Sequence, residues 1–224
     1  HAEPSHRAMC RFTAVPARGM GAVAERLAAR LRPGSVRTGA RVTALDGTKV
    51  HIDGGPIEDA DRVILATEGP AAARLLGGPV PPSKGVTCLN FVAEAPPYEG
   101  PWLALNGHSR ALVNNLAVMS SVSPAYSPDR RALISATVLG ESELTDSALE
   151  AAVKDELRGW FGPGVDSWRL LRIDRIAHAQ PAAIARPGFV REGVWLAGDH
   201  TAQASAHGAL KSGSLSAEGV LASL

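Results

Sequence analysis

This sequence of 224 residues has few cysteines, no long apolar run and almost no excess of charge of either sign. Its two cysteines, Cys10 and Cys88, have neither the spacing of metal ligands nor the density of a disulfide scaffold. We therefore expect a reducing, cytoplasmic location. No run of about 18 apolar residues occurs, and the polar segment 1–7 lacks the apolar core of a signal peptide. Neither a transmembrane helix nor a secretion signal is predicted.

The charge balance and the spacing of histidines exclude further classes. Lysine and arginine total 23 against 22 aspartates and glutamates, and no basic stripe is interleaved with aromatics, so no nucleic-acid partner is predicted. The seven histidines lack the i, i+4 pairing of a helical metal site, and no metal is expected. The motif G-x-S-x-G is also absent, which leaves hydrolase chemistry without support.

The composition that remains, 45% hydrophobic and 20% charged, is ordinary for a soluble globular protein. Apolar residues at helical spacing predict an amphipathic helix over 20–32. Turn residues and short apolar segments then predict a meander of strands at 36–45, 49–52 and 57–60. The following stretch, 62–67, is typical of a strand covered on both faces, as in a parallel sheet.

The middle of the chain, 84–140, alternates between apolar and polar residues, which predicts a largely antiparallel sheet. Ser147 and Glu150 have the spacing of a capping box and predict a helix over about 147–160. Another strand is expected over 169–179.

The residues near the C-terminus carry the most chemical information. A short apolar strand, 194–197, ends in Gly198 and Asp199, and a helix opens at Gly208 after a loop of small residues. A helix N-terminus offers free N–H groups to an anion or a carbonyl oxygen. A carboxylate at the carboxyl end of a strand lies where α/β sheets bind ligands, and it can accept hydrogen bonds from hydroxyls. A tightly packed helix without any ligand would produce the same pattern.

Residues 194–217 are similar to the C-terminal flavin motif of the flavin-containing amine oxidase superfamily, which includes phytoene desaturases and protoporphyrinogen oxidases. The resemblance implies that Asp199, following Gly198, binds the ribityl chain of FAD. It also implies that the helix mouth, made by Gly208, Ala209 and Leu210, faces the pyrimidine carbonyl of the flavin.

Three other stretches resemble segments of that family in the same order. Residues 16–22 and the helix after them look like its proline–glycine–methionine segment. Residues 40–45 resemble the strand whose valine, here Val42, contacts the adenine side of FAD through its backbone. The sequence ADRVILAT at 60–67 is similar to the family strand that ends in Ala-Thr.

The family's G-x-G-x-x-G fingerprint, which holds the pyrophosphate, is missing from the sequence. We therefore interpret the chain as the C-terminal portion of an α/β protein, with an incomplete Rossmann-like FAD-binding layer and an antiparallel substrate-domain sheet. The expected domains are 1–83 (FAD binding, in part), 84–180 (substrate binding) and 181–224 (FAD binding, the C-terminal strand and helix).

The resemblance implies a FAD-dependent oxidoreductase that moves hydride from a small or lipophilic substrate to flavin N5, with no catalytic residue assigned. The alternative is a non-catalytic remnant, or a subunit of a split flavoprotein whose partner chain supplies the missing G-x-G-x-x-G unit. His200 and His207 flank the flavin loop, and either could line the active site. We favour hydrogen-bonded filler roles for both, because loop histidines beside an aspartate commonly have them.

Overall fold

The computed structural model describes residues 15–108, 111–184, 188–191 and 193–224. The strands are β1 (Val42–Asp46), β2 (Lys49–Ile52), β3 (Ile57–Asp59), β4 (Val63–Leu65), β5 (Ser83–Ala93), β6 (Leu103–Leu105), β7 (Val113–Val118), β8 (Ala132–Leu139), β9 (Arg169–Pro181), β10 (Gly188–Arg191) and β11 (Val194–Leu196). The helices are α1 (Gly21–Ala28), α2 (Gly69–Leu76), α3 (Met119–Val122), α4 (Asp146–Phe161) and α5 (Ala206–Leu221).

The chain divides into two compact units. Unit 1 contains residues 15–33 and Val86–Ile176, and unit 2 contains Gly34–Gly85 and Ala177–Leu224. Helices and strands occur in both units, so the predicted mixed α/β class is confirmed. Residues 15–33 group with the middle of the chain, whereas the sequence places them in the first domain. The assignment of FAD and substrate to particular units stays a prediction.

Unit 1 is built on a five-stranded sheet in the order β6-β7-β8-β5-β9. β5 and β8 are antiparallel over a long register that runs from Val86 opposite Leu139 to Ala93 opposite Ala132. Alternate residues of both strands are buried, as the period of two requires. The predicted antiparallel sheet is therefore confirmed.

α4 supplies the other half of this core. Its Leu149, Val153 and Leu157, spaced four residues apart, are fully buried in the same cluster as the inner face of the sheet. The helix begins one residue earlier than predicted, and its N-cap is Thr145, whose hydroxyl accepts a bond of 3.4 Å from the N–H of Ala148. The Ser147–Glu150 capping box is therefore wrong.

α1 is shorter than the predicted helix over 20–32, because turns at Arg30 and Leu31 follow Ala28. No residue of α1 is buried. The apolar side chains along it remain exposed, namely Met20, Val23, Leu27 and Leu31. The helix is confirmed, but its apolar stripe has no covering element among the described residues.

Unit 2 contains two small sheets. β1, β2 and β3 form the predicted antiparallel meander, although β1 begins at Val42 rather than at residue 36. β4 and β11 are parallel, with Ile64 opposite Trp195, and β10 pairs with the other edge of β11. The prediction that β4 is covered on both faces is wrong for the described residues, because Ile64 is 39% exposed and only Leu65 is buried. β4 is an edge strand of its sheet.

α2 lies between β4 and β5 in the chain and was not predicted. Its signals are present in the sequence: Pro70 stands in the first turn, and Gly77, with φ of 69°, ends the helix in the left-handed conformation. In the order of elements, α2 follows the carboxyl end of β4, as α5 follows the carboxyl end of β11.

Candidate functional site

The candidate site lies where the two parallel strands of unit 2 end. The N–H of Ala197 donates to the carbonyl oxygen of Leu65 at 3.1 Å, so β4 and β11 stay side by side to their last residues. From there the chain enters α2 on one side and a 3₁₀ turn, Asp199–Thr201, on the other. The carboxyl ends of neighbouring parallel strands are the usual ligand position in α/β sheets.

Gly198 makes the sharp exit from β11. Its φ of 149° and ψ of 167° belong to a region that is open almost only to glycine. A Cβ atom at this position would lie 2.5 Å from Cε1 of His200. The N–H of Gly198 donates to Oγ of Ser212 at 2.8 Å, and the carbonyl oxygen of Gly198 accepts from the hydroxyl of Thr201 at 2.8 Å. The backbone conformation and the nearby ring of His200 therefore explain why residue 198 is glycine.

The small residues of α5 bring this helix close to β11. Buried Ser212 bonds to the Gly198 N–H, and buried Ser216 donates its hydroxyl to the carbonyl oxygen of Leu196 at 2.6 Å. Gly219 lies against the ring of Trp195, where a Cβ atom would overlap the ring. This stripe is a packing surface, which agrees with the packing interpretation of that part of the motif.

Gly208 also has a packing reason, because a Cβ atom there would overlap the backbone of Gln203. The loop before α5 folds back onto its first turn at this point. Oγ of Ser205, the N-cap, accepts from the Gly208 N–H at 3.0 Å, and the carbonyl oxygen of Ser205 accepts from Ala209 at 3.0 Å. The N–H groups of Gly208 and Ala209, which the resemblance assigns to the helix mouth, are therefore already bonded within the chain.

The open donors of α5 lie earlier than the sequence suggests. The backbone N–H groups of Ala206 and His207 have no hydrogen-bond partner among the described residues. They belong to the first turn, where the positive end of the helix dipole is strongest. Leu210 lies further into the helix, and its side chain is exposed. The signal that could have located these donors is Ser205, a preferred N-cap residue.

Asp199 stands at the first position of the 3₁₀ turn. Its side chain is 33% exposed and receives no hydrogen bond within the described part of the chain. The nearest basic group is the ring of His200, with Nδ1 at 3.9 Å from Oδ1, which is beyond hydrogen-bond distance. The carboxylate is thus available to hydroxyl or amide donors of a ligand.

His200, the next residue, is 6% exposed, and neither of its ring nitrogens has a hydrogen-bond partner in the ranges that the structure describes. The ring lies against Gly69 at the start of α2, where a Cβ atom would be 3.3 Å from Cγ. Burial lowers the pKa of the imidazole below its ordinary value of 6.5, and the charge of Asp199 only partly opposes this shift. The expectation of a hydrogen-bonded filler is wrong for His200 within these residues.

Val42 lies apart from this group in the topology. It is the first residue of β1, in the meander sheet, where it is paired with Ile52 next to an irregularity in the register. No hydrogen bond joins it to the strand ends of β4 and β11 among the described residues. Gly198, Asp199 and the opening of α5 follow one another at the end of β11, whereas Val42 begins a strand of the separate meander sheet.

A cleft of about 560 Å³ opens at the opposite end of the same strands. Asp61, Arg62 and Gly193, which precede β4 and β11, line it together with the β1–β2 turn. Arg62 is already engaged there, because it donates to the carbonyl oxygen of Ser223 at 2.7 Å. This cleft lies at the amino ends of the strands, whereas ligands of α/β sheets usually bind at the carboxyl ends.

Comparison with protein families shows which family the chain belongs to. A family model described as flavin containing amine oxidoreductase matches residues 6–221. The chain belongs to this family. The resemblance noted in the sequence is thereby confirmed. Comparison with curated proteins by sequence gives no significant match.

Solved structures agree at the level of the fold. A putative protoporphyrinogen oxidase from Exiguobacterium sp. 255-15 superposes with a TM-score of 0.67 at 18% identity, covering 90% of this chain and 52% of that one. Cyclohexylamine oxidase from Brevibacterium oxydans IH-35A gives 0.65 at 16% identity, covering 89% and 52%. An oxidoreductase from Methanosarcina mazei gives 0.52 at 17%, covering 79% and 47%. The chain therefore spans about half the length of these structures.

The residues at the strand ends fit part of the flavin cofactor that the family name implies. An unbonded carboxylate, two open N–H groups and an unpartnered buried imidazole suit hydroxyls and a carbonyl oxygen. No glycine-rich G-x-G-x-x-G loop for a pyrophosphate occurs in the sequence. In the described residues, no group of three or more potential metal ligands occurs, and no helix is long and apolar enough to cross a membrane.

Proposed function

We propose that the chain binds the ribityl and ring end of FAD at the carboxyl ends of β4 and β11, as part of an oxidoreductase. The observation that carries the proposal is that two kinds of unbonded group occur after β11 among the described residues: the carboxylate of Asp199, and the N–H groups of Ala206 and His207. Asp199 would accept hydrogen bonds from ribityl hydroxyls. The two N–H groups would donate to a carbonyl oxygen of the flavin ring, with the helix dipole favouring the negative charge that gathers there.

Other predicted residues have supporting roles in this proposal. Gly198 and Gly208 allow the two backbone turns on which the site depends, and Ala209 and Leu210 continue the helix behind its open first turn. Val42 would contact the adenine side through its backbone. Bound FAD would supply an acceptor for hydride at N5, and we assign no acid or base to the chain.

The test is a titration with FAD followed by flavin fluorescence. Asp199→Asn preserves the shape of the side chain but removes its charge, and we expect FAD affinity to fall about tenfold or more, as for a lost hydrogen bond to a charged group. Asp59→Asn, an exposed change on β3, is the matched control and should leave affinity unaltered. Equal affinity of the Asp199 variant and the wild type would end the proposal.

For the substrate, we favour a small or lipophilic molecule over an amine held in an aromatic cage. The chain has four Phe, four Trp and two Tyr residues. Half of these rings pack together in unit 1, namely Phe91, Tyr98, Trp160, Phe161 and Trp168. Few aromatics therefore remain to bind a cationic amine. Substrate profiling of the flavin-loaded protein with lipophilic alkenes and with primary amines distinguishes the two classes.

A second candidate is a non-catalytic remnant, or a subunit that needs a partner chain carrying a G-x-G-x-x-G unit. The observations that favour it are the exposed apolar stripe of α1 and the exposed Ile64 on the edge strand β4. Such surfaces promote association. Purified protein that is yellow, with flavin absorption bands, supports the oxidoreductase. Colourless protein that self-associates and takes up no added flavin supports the remnant.

A further inference from the structure

The imidazole of His200 is a polar group for which unit 2 provides no visible partner. It is almost completely buried, and both ring nitrogens lack a hydrogen bond within the described ranges. Buried polar groups in folded proteins are nearly always satisfied, and an exception calls for a ligand or an ordered water. The neighbouring buried residue, Thr201, shows the usual situation, because its hydroxyl bonds to the carbonyl oxygen of Gly198.

Two glycines lie in close contact with this ring. Gly198 adopts a φ of 149° and passes the Cε1 edge of the ring so closely that a side chain there would collide with it. Gly69, at the start of α2, is the second close approach, and Pro81 lies on the same side. Two glycines from two different elements thus define the slot for the imidazole. Among the described residues, the ring is held in place by packing and not by hydrogen bonds.

The distance to Asp199 indicates what could bridge the two side chains. Oδ1 of Asp199 and Nδ1 of His200 are 3.9 Å apart, too far for a direct hydrogen bond. One hydroxyl oxygen placed about 2.8 Å from each atom spans this gap. A hydroxyl can donate to the carboxylate and accept from a ring N–H at the same time.

The chemistry of the ligand follows from this pairing. A neutral imidazole offers one donor and one acceptor, and a carboxylate offers acceptors only. A phosphate oxygen accepts but does not donate, so it would leave the carboxylate without a partner. A chain of hydroxyls satisfies the carboxylate of Asp199, and one of its hydroxyls can bridge this carboxylate and Nδ1 of His200.

We propose that His200 recognises the hydroxyl chain of the flavin together with Asp199, and that it makes binding depend on the ribityl group. This inference rests on the proposed function. It adds a residue that discriminates between flavins with and without the polyol. His200 is a binding residue here, and no proton transfer to the substrate is assigned to it.

The test compares riboflavin with lumiflavin, which has the same ring system but no ribityl chain. We expect the wild-type protein to bind riboflavin more tightly than lumiflavin. His200→Leu removes both ring nitrogens and should weaken riboflavin binding about tenfold while leaving lumiflavin binding within about twofold. His178→Leu, an exposed histidine on β9 of the same unit, is the control and should alter neither.

The outcomes distinguish a failure of this inference from a failure of the proposed function. If His200→Leu binds riboflavin as the wild type does, an ordered water satisfies the imidazole, and the inference is overturned while the proposed function stands. If both ligands weaken equally, the residue supports the fold and not ribityl recognition, which also overturns it. If the wild type binds neither flavin, the proposed function fails and takes this inference with it.

A second variant covers the case in which His200→Leu does not fold, as judged by its thermal transition without ligand. His200→Asn preserves one donor and one acceptor on a shorter side chain. We expect it to retain part of the preference for riboflavin over lumiflavin. Complete retention or an equal loss for both flavins contradicts the inference. The ¹⁵N shifts of the His200 ring should also change when riboflavin binds, and unchanged shifts with bound riboflavin contradict it as well.

Discussion

Glycine at position 198 has a defined physical cause. Its backbone conformation is strained for any residue with a side chain, and the buried ring of His200 occupies the space that a Cβ atom would need. The same residue links the strand end to α5 through the bond between its N–H and Ser212. Backbone strain, ring packing and helix docking thus meet at one residue beside the candidate site.

We predict that Gly198→Ala lowers the free energy of unfolding by about 2–4 kcal/mol, the sum of backbone strain and overlap with the ring. Gly34→Ala is the control, because its φ of 82° also disfavours a side chain but nothing lies within 4 Å of its Cβ position. Urea denaturation of both variants measures the difference. Equal losses for the two would show that the ring of His200 does not fill that space.

His200 also predicts a dependence of stability on pH. Because burial lowers its pKa below 6.5, the unfolded chain binds a proton on this residue at a higher pH than the folded chain does. The free energy of unfolding should therefore be unaffected by His200 above about pH 7 and should fall as the pH drops below about 6.5. His200→Asn should remove this part of the acid dependence. Parallel stability curves for variant and wild type would contradict the shift.

At the scale of elements, the docking of α5 on β11 depends on small side chains. We predict that Gly219→Ala destabilises the protein by about 1–3 kcal/mol, because the added methyl overlaps the ring of Trp195. Gly213→Ala, in the same helix with nothing near its Cβ position, should be neutral or stabilise by up to about 1 kcal/mol. Thermal unfolding compares the pair. The prediction fails if both variants gain stability.

The predictability of an element followed the strength of its local pattern. The antiparallel sheet that contains β5 and β8 was predicted correctly, because burial alternates along β8 and along β5 as far as Phe91, and one face packs on α4. The end of α1 was predicted less well, since turns at Arg30 and Leu31 interrupt a pattern that continues to Pro33. The exposure of Ile64 on β4 could not be predicted from the apolar residues of the strand, because it depends on which elements pack on that face of the sheet.

At the scale of the whole molecule, the family and the mixed fold could be inferred from a few motifs, and the comparisons bear them out. The donors of the candidate site could not be located in the same way. The helix mouth was assigned to Gly208, Ala209 and Leu210, but the bonds that Ser205 accepts through its hydroxyl and its carbonyl oxygen depend on the conformation of the loop before α5. The position of the His200 ring likewise depends on close contacts with Gly69 and Gly198, which are distant from each other in sequence.

The most direct test of the account is a ¹H–¹⁵N correlation spectrum of the chain with and without FAD. We predict that the amide signals of Ala206 and His207 shift most, because these donors are open. Gly208 and Ala209, already bonded to Ser205, should shift less, and Gly47 and Gly193 at the opposite cleft should not respond. Shifts confined to the cleft, or no shifts at saturating FAD, would contradict the claim that flavin binds at the carboxyl ends of β4 and β11.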